Sequence, residues 1–136
     1  MKQTVEDDLH IGICNYIKLQ YPNVIFTSES SGEYLGKGRL GQFRGWVLSQ
    51  KRSRGKLADI IILEPNKQWH GLILEVKANT PILKDGTISK GKHIQKQNDT
   101  MLKLLEKGYY TAFVWCFDAA KILIDNYLKD REPKQN

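Results

Sequence analysis

Long apolar runs are missing from this chain. Nowhere do about 20 apolar residues follow one another, so no segment has the length of a membrane-spanning helix. Cysteine is scarce. Cys14 and Cys116 both sit inside apolar patterns, which predicts reduced thiols serving as small core residues. Met1-Lys2-Gln3 runs straight into an acidic, helix-like segment, so no secretory leader is expected. The Asn98-Asp99-Thr100 sequon carries no weight without secretion. His10, His70 and His93 share no CxxC or HxxxH spacing with each other or with the cysteines, which argues against zinc. A GxSxG nucleophile elbow is absent, and so is a GxxxxGK[ST] phosphate loop. Gly36-Lys37-Gly38-Arg39-Leu40-Gly41 does spell GxGxxG. No apolar strand leads into it, however, and Gln42 to Trp46 opens a helix poorly, so the dinucleotide reading fails. No internal repeat is visible.

Acid is in short supply too. Fifteen Asp and Glu face 21 Lys and Arg, a formal charge of +6 and a pI near 9.3. That excess favours a polyanionic partner, nucleic acid before a membrane surface. An apolar share of 40% and a charged share of 26% are ordinary for a globular protein. At 136 residues the chain is expected to form one domain over residues 1–128, with a polar tail at 129–136.

Thr4 is placed to cap a first helix, with Glu6, Asp7 and Asp8 favouring its N-terminus. Val5, Leu9, Ile13 and Ile17, with Cys14 and Tyr16, give helical periodicity until Tyr21-Pro22 ends it. Glu6 borders this stripe. A solvated first-turn carboxylate is the plain alternative to a functional one. Asn23 to Thr27 predicts a short strand, and Ser28 to Lys56 a long irregular region. That region carries Lys37, Arg39, Arg44, Lys51, Arg52, Arg54 and Lys56 against Glu29 and Glu33, interleaved with Tyr34, Phe43 and Trp46. Basic groups with aromatics and glycines suit phosphate tracking and base stacking, where a solvated hairpin loop is the bland reading.

Leu57 to Lys77 is the stretch that the remainder is arranged around. Ile60 to Leu63 and Gly71 to Val76 are β-type apolar runs separated by Glu64-Pro65-Asn66-Lys67, a turn sequence, so a hairpin is predicted. Its second strand returns antiparallel, bringing Glu75 and Lys77 beside Asp59. The two-residue period sets Glu75 and Lys77 on one face and Leu74 and Val76 on the other. Two neighbouring carboxylates make a hard-oxygen site for Mg²⁺, and a lysine along the same face can hold a water or offset phosphate charge. The same residues also suit the wet face of an ordinary strand.

Ala78 to Gly91 reads as a loop with further lysines (Lys84, Lys90, then Lys92), followed by a helix from about Gly91 to Lys107 that Gly108 stops. Ile94, Met101, Leu102, Leu104 and Leu105 form its expected buried side. Gln97 falls on the sheet-facing side, either as a group needing site partners or as an edge-of-core glutamine. Tyr109 to Phe117 reads as a strand buried on both faces, and Asp118 as the cap of a last helix packing through Ile122, Leu123 and Tyr127. The sum is an α/β fold, a small mixed β-sheet flanked by helices.

With these pieces in place the chain resembles the VRR-NUC family within the PD-(D/E)XK (restriction-endonuclease-like) nuclease superfamily. Glu6-x-x-Leu9-x-x-x-Ile13-x-x-Tyr16-Ile17 looks like the family's opening helix with its metal-side Glu, and Gly55 to Leu63 like its Gly…Pro-Asp-apolar strand. His70-Gly71-Leu72-Ile73-Leu74-Glu75-Val76-Lys77 is similar to its GLxxExK strand, the most specific match. Gln97, Leu104 and Gly108-Tyr109 resemble the helix that brings a glutamine to the site, and Asp118-x-Ala120 with Ile124-x-x-Tyr127-Leu128 the closing helix. Ala58 stands where the family usually has proline, and Ser31-Gly32 where it has Asn-Gly, after which the loop aligns poorly.

The resemblance implies Mg²⁺- or Mn²⁺-dependent phosphodiester hydrolysis on DNA. Members of this size resemble phage-type enzymes that pair as homodimers, cut branched DNA such as Holliday junctions, and work in the cytosol of a bacterium or infected host. Asp59, Glu75, the Val76 carbonyl and Glu6 are the expected metal ligands, with Lys77 and Gln97 completing the catalytic set. Lys51, Arg52, Arg54, Lys56, Arg44 and Lys92 are the expected nucleic-acid contacts. A DNA-binding module without turnover, and a nuclease acting on flaps, single strands or RNA, are the competing readings.

Overall fold

The computed structural model describes residues 3–28 and 58–129. Helix α1 (Val5–Gln20) starts from a reciprocal capping box. The Asp7 N–H donates to Thr4 Oγ1 at 3.0 Å, and the Thr4 N–H donates to Asp7 Oδ2 at 3.0 Å. Two of the helix's otherwise orphaned amide groups are satisfied in this way. Ile13 and Ile17 lie fully buried on its inner side, whereas Val5, expected in that stripe, is exposed in the first turn.

Strands β1 (Phe26–Ser28), β2 (Ile60–Ile62), β3 (Gly71–Val76) and β4 (Tyr109–Val114) form one sheet in that order. β1–β2 and β2–β3 are antiparallel and β3–β4 parallel. The expected mixed sheet and the antiparallel hairpin are therefore present. The parallel pair is joined by helix α2 (Lys92–Glu106), and helix α3 (Phe117–Leu128) closes the described chain. Among the described residues no helix is long and apolar enough to cross a membrane.

Register assigns the faces. Ile60 lies opposite Leu74, which pairs with Ala112, so Ile60, Ile62, Leu72, Leu74, Val76, Tyr110 and Val114 share one side of the sheet. These residues form the main core with Ile13 and Ile17 of α1 and with Ala120, Leu123, Ile124 and Tyr127 of α3. Each fully buried Ile, Leu or Val contributes about 1.5–3 kcal/mol relative to exposure, so this layer supplies most of the driving force. α2 covers the opposite face, where the Thr111 hydroxyl donates to the Met101 carbonyl at 3.3 Å. The result is a three-layer α/β/α arrangement.

Some elements differ from the sequence reading. β4 stops at Val114, and only Tyr110 and Val114 of its six residues are buried, because β4 is a sheet edge among the described residues. Phe117 opens α3 instead of ending the strand, and the N-cap is Cys116, not Asp118. Cys116 is accordingly exposed, while Cys14 is half-buried against the core. Leu102 and Ile122, expected to be buried, are 52% and 54% exposed, and Ile124 takes the inward position on α3. β2 ends at Ile62, one residue before the expected Leu63, so residues 63–70 connect it to β3. Asn66 Oδ1 accepts from the Gln68 and Trp69 N–H groups there, at 2.9 and 2.8 Å.

Candidate active site

Asp59 immediately precedes β2, and Glu75 lies one residue from the end of β3. In the β2–β3 register the pairs run Ile62–Leu72 and Ile60–Leu74, so the next step brings Asp59 opposite Glu75. Both carboxylates are buried, with 7% and 5% of their surface exposed. Buried carboxylates are costly unless hydrogen bonds or cations compensate them. Asp59 Oδ2 accepts from the Val76 N–H at 2.8 Å, which ties the start of β2 to the end of β3. In a strand an amide N–H and the carbonyl of the same residue point to one side, so the Val76 carbonyl shares the Asp59 side. Glu75 Oε1 accepts from Gln97 Nε2 at 2.7 Å.

Gln97 is the side chain that α2 contributes. It is 8% exposed, lies in the second turn, and faces the sheet together with Met101. Its Oε1 is buried without a hydrogen-bond partner among the described residues. An orphaned acceptor beside two buried carboxylates is a place where a proton-bearing group belongs. Lys77 continues β3 and is half-buried. Its N–H donates to the Val114 carbonyl at 2.9 Å, which fixes its backbone against β4, and alternation sends its side chain to the Glu75 face.

Glu6 stands apart from this group. It is half-buried in the first turn of α1, in the layer on the other face of the sheet. It does lie at the same end of the molecule, because His10, one turn further along, bonds through Nε2 to Ser28 Oγ at 2.6 Å, and Ser28 pairs with Ile60. Among the described residues no three His, Cys, Asp or Glu side chains gather tightly enough to hold a metal, so Glu6 does not complete a carboxylate triad. The histidines are dispersed. His70 packs edge-on against Tyr109, and His93 is exposed on α2. Lys92 is exposed at the first turn of α2, while Arg44, Lys51, Arg52, Arg54 and Lys56 lie outside the described residues.

The donor set fits a hard divalent cation. Two carboxylates, one strand carbonyl and an unpartnered amide oxygen are all hard oxygens, and Mg²⁺ or Mn²⁺ takes one or two carboxylates together with waters. The two hydrogen bonds that orient the carboxylates are not legible in the sequence. The Val76 amide leaves no sequence signal, and the Gln97–Glu75 bond depends on how α2 lies across β3.

A three-layer domain whose two central strands end in buried acids, with a glutamine delivered from a crossover helix, defines a small α/β nuclease-like fold. No protein-family model matches the sequence, and no curated protein matches it. Among solved structures the chain is similar to a VRR_NUC domain protein, with a TM-score of 0.55 and 18% identity. The match covers 97% of this chain and 94% of that one. At this identity the likeness speaks for the fold, which is the fold that the motif resemblance implied.

Proposed function

We propose that the chain is a Mg²⁺- or Mn²⁺-dependent endonuclease that hydrolyses phosphodiester bonds in DNA, with branched DNA such as four-way junctions as its preferred substrate. The observation that carries this reading is the buried Asp59–Glu75 pair, with Asp59 bonded to the Val76 amide, Glu75 bonded to Gln97, and the unpartnered Gln97 oxygen beside them. Asp59, Glu75 and the Val76 carbonyl would hold the metal, with Glu6 contributing from the first turn of α1 through a water. When bound, the ion lowers the pKa of a water and neutralises phosphate charge. Gln97 Nε2 keeps Glu75 aimed, and its Oε1 can accept from a water or from the Lys77 ammonium. Lys77 orients the water or offsets the charge that develops on the phosphate. Arg44, Lys51, Arg52, Arg54, Lys56 and Lys92 are assigned to phosphate contacts.

The test is cleavage of labelled duplex, flap, single-stranded and four-way junction DNA with Mg²⁺ or Mn²⁺. Asp59→Asn and Glu75→Gln are the controls, since both substitutions keep size and one acceptor oxygen while removing the charge. Metal-dependent cutting that both substitutions abolish, with DNA binding retained, is the expected result. Binding without cutting by the native protein points to a DNA-binding module, and cutting that survives Glu75→Gln removes the proposed site.

A further inference from the structure

Among the described residues the sheet divides the charge. On the layer formed by α1 and α3, Glu6, Asp7, Asp8, Asp118 and Asp125 outnumber Lys18, Lys121 and the C-cap Lys129. On the opposite side, α2 with its C-cap and the segment leading into it carry Lys84, Lys90, Lys92, Lys96, Lys103 and Lys107. Only Asp85, Asp99 and Glu106 oppose them there. Ile82 and Ile88 of that segment line a cavity of about 240 Å³ together with Met101, Leu102 and Leu105, and Gln95 Nε2 donates to the Ser89 carbonyl at 2.6 Å. Segment and helix therefore form one surface. Glu75 faces this side too, through its bond to Gln97.

The lysines of α2 are ordered as well as numerous. Lys92, Lys96, Lys103 and Lys107 follow at steps of four, seven and four, which at 3.6 residues per turn forms a single stripe. All four are exposed, on the far side of the helix from the buried Gln97 and Met101. Asp99 interrupts the stripe and Glu106 flanks it. From Lys92 to Lys107 the stripe is roughly 22 Å long at 1.5 Å per residue. That is about six base pairs of duplex at 3.4 Å each. Its direction matters. α2 returns from the end of β3, where Gln97 meets Glu75, to the start of β4, where Tyr109 pairs with Gly71. Lys92 therefore stands at the carboxylate end and Lys107 at the far end.

We propose that the outer face of α2 is a phosphate-binding track, on which one backbone of a DNA duplex runs past Lys107, Lys103 and Lys96 towards the Asp59–Glu75 pair. The proposal rests on the nuclease reading for its substrate and adds the path by which that substrate reaches the site. Charge complementarity selects the occupant. Exposed lysines around a helix with no Phe, Tyr or Trp on its outer face suit a duplex backbone better than stacked bases. The α1–α3 layer, with its acidic excess, repels the same backbone.

Duplex binding is measured against salt concentration, in Ca²⁺ or EDTA so that no cleavage intervenes. One variant carries Lys96→Gln, Lys103→Gln and Lys107→Gln. The other carries Lys18→Gln, Lys67→Gln and Lys129→Gln, which removes the same formal charge from exposed positions elsewhere. Glutamine keeps helix propensity close to that of lysine. The slope of log K against log salt should flatten by about 2–3 in the first variant, at roughly 0.9 for each phosphate that is no longer neutralised, and by less than about 1 in the second. Equal flattening in both variants, no flattening in the first, or no duplex binding by the native protein overturns the track. Cleavage by the native protein is scored separately with Mg²⁺. If it cuts and the first variant binds normally, the track fails and the nuclease reading stands. If the track variant loses binding and the native protein never cuts, the reverse holds.

Discussion

Gln97 donates from Nε2 to Glu75 and keeps Oε1 buried without a partner among the described residues. A buried unsatisfied polar atom costs about 1–3 kcal/mol, and an apolar side chain at this position would avoid it. A residue retained for packing would not look like this. Gln97→Leu removes this orphaned oxygen but also the donor to buried Glu75, two effects of opposite sign, so stability should change by less than about 2 kcal/mol, while turnover falls about 10–100-fold, the scale on which groups that orient metal ligands act. The urea midpoint and kcat at saturating metal separate the two effects. A loss of stability that tracks the loss of turnover would show a structural role instead. Gly108 is constrained in another way. It has φ +97, and a Cβ there would lie 2.5 Å from His70 Cδ2, so the turn that aligns α2 with β4 admits no side chain.

At the scale of elements, α1 and α3 are joined by one carboxylate. Asp125 Oδ1 accepts from the Tyr16 and Tyr21 hydroxyls at 2.6 Å each, and Lys121 Nζ lies 3.2 Å from Oδ2. Burial pushes the Asp125 carboxyl up, but the two tyrosine bonds and the lysine outweigh it and hold the group below its ordinary 3.8. Burial, followed by the bond to Asp125, pushes the Tyr21 phenol up. A carboxylate with a depressed folded-state pKa adds stability above its unfolded value and loses it as pH falls through the folded value. The clasp should thus be fully present at neutral pH and weaken below about pH 4. Tyr16→Phe and Tyr21→Phe should each cost about 1.5–3 kcal/mol at pH 7, less than additively in the double variant because both bond the same oxygen. Urea unfolding at pH 7 and pH 3 measures this, and a cost unchanged at pH 3 would count against the clasp.

For the molecule as a whole, the proposed substrate sets an expectation about assembly. A four-way junction has approximate two-fold symmetry, and its resolution needs cuts on opposing strands. Among the described residues one chain presents one buried carboxylate pair. A C₂ homodimer with both sites on one side matches that symmetry, and two-fold pairing is the commonest closed assembly. Light scattering at micromolar concentration should report twice the monomer mass. Tyr34, Phe43, Trp46, Val47 and Leu48 are the pairing surface that the sequence suggests, and they lie outside the described residues. Trp46→Glu should lower the mass if those residues pair. A monomer that cuts opposing junction strands symmetrically would show the dimer to be wrong.

What the sequence determined by itself were the features that local chemistry dictates. The α1 cap follows from Thr4 and Asp7, the α2 stop from Gly108, the β2–β3 pairing from two apolar runs around a turn, and the Asp59–Glu75 pairing from the two-residue period of strands. Gln97 was legible as a polar residue on an inward face. Only the tertiary structure decided which partner it meets, because that depends on how α2 lies across β3, a contact between residues 22 positions apart. The same holds for Glu6. Periodicity placed it beside the buried stripe of α1, but the packing of α1 on the other face of the sheet kept it out of the carboxylate pair. The ends of β4 and α3 went unread for a related reason. Tyr109 to Phe117 is uniformly apolar, so nothing local marks where strand becomes helix, and Val114 ends the strand because its partner β3 ends at Val76. The division of charge between the two faces is the clearest case. Acids and lysines alternate along much of the chain, and they separate only when the sheet places α1 and α3 on one side and α2 on the other.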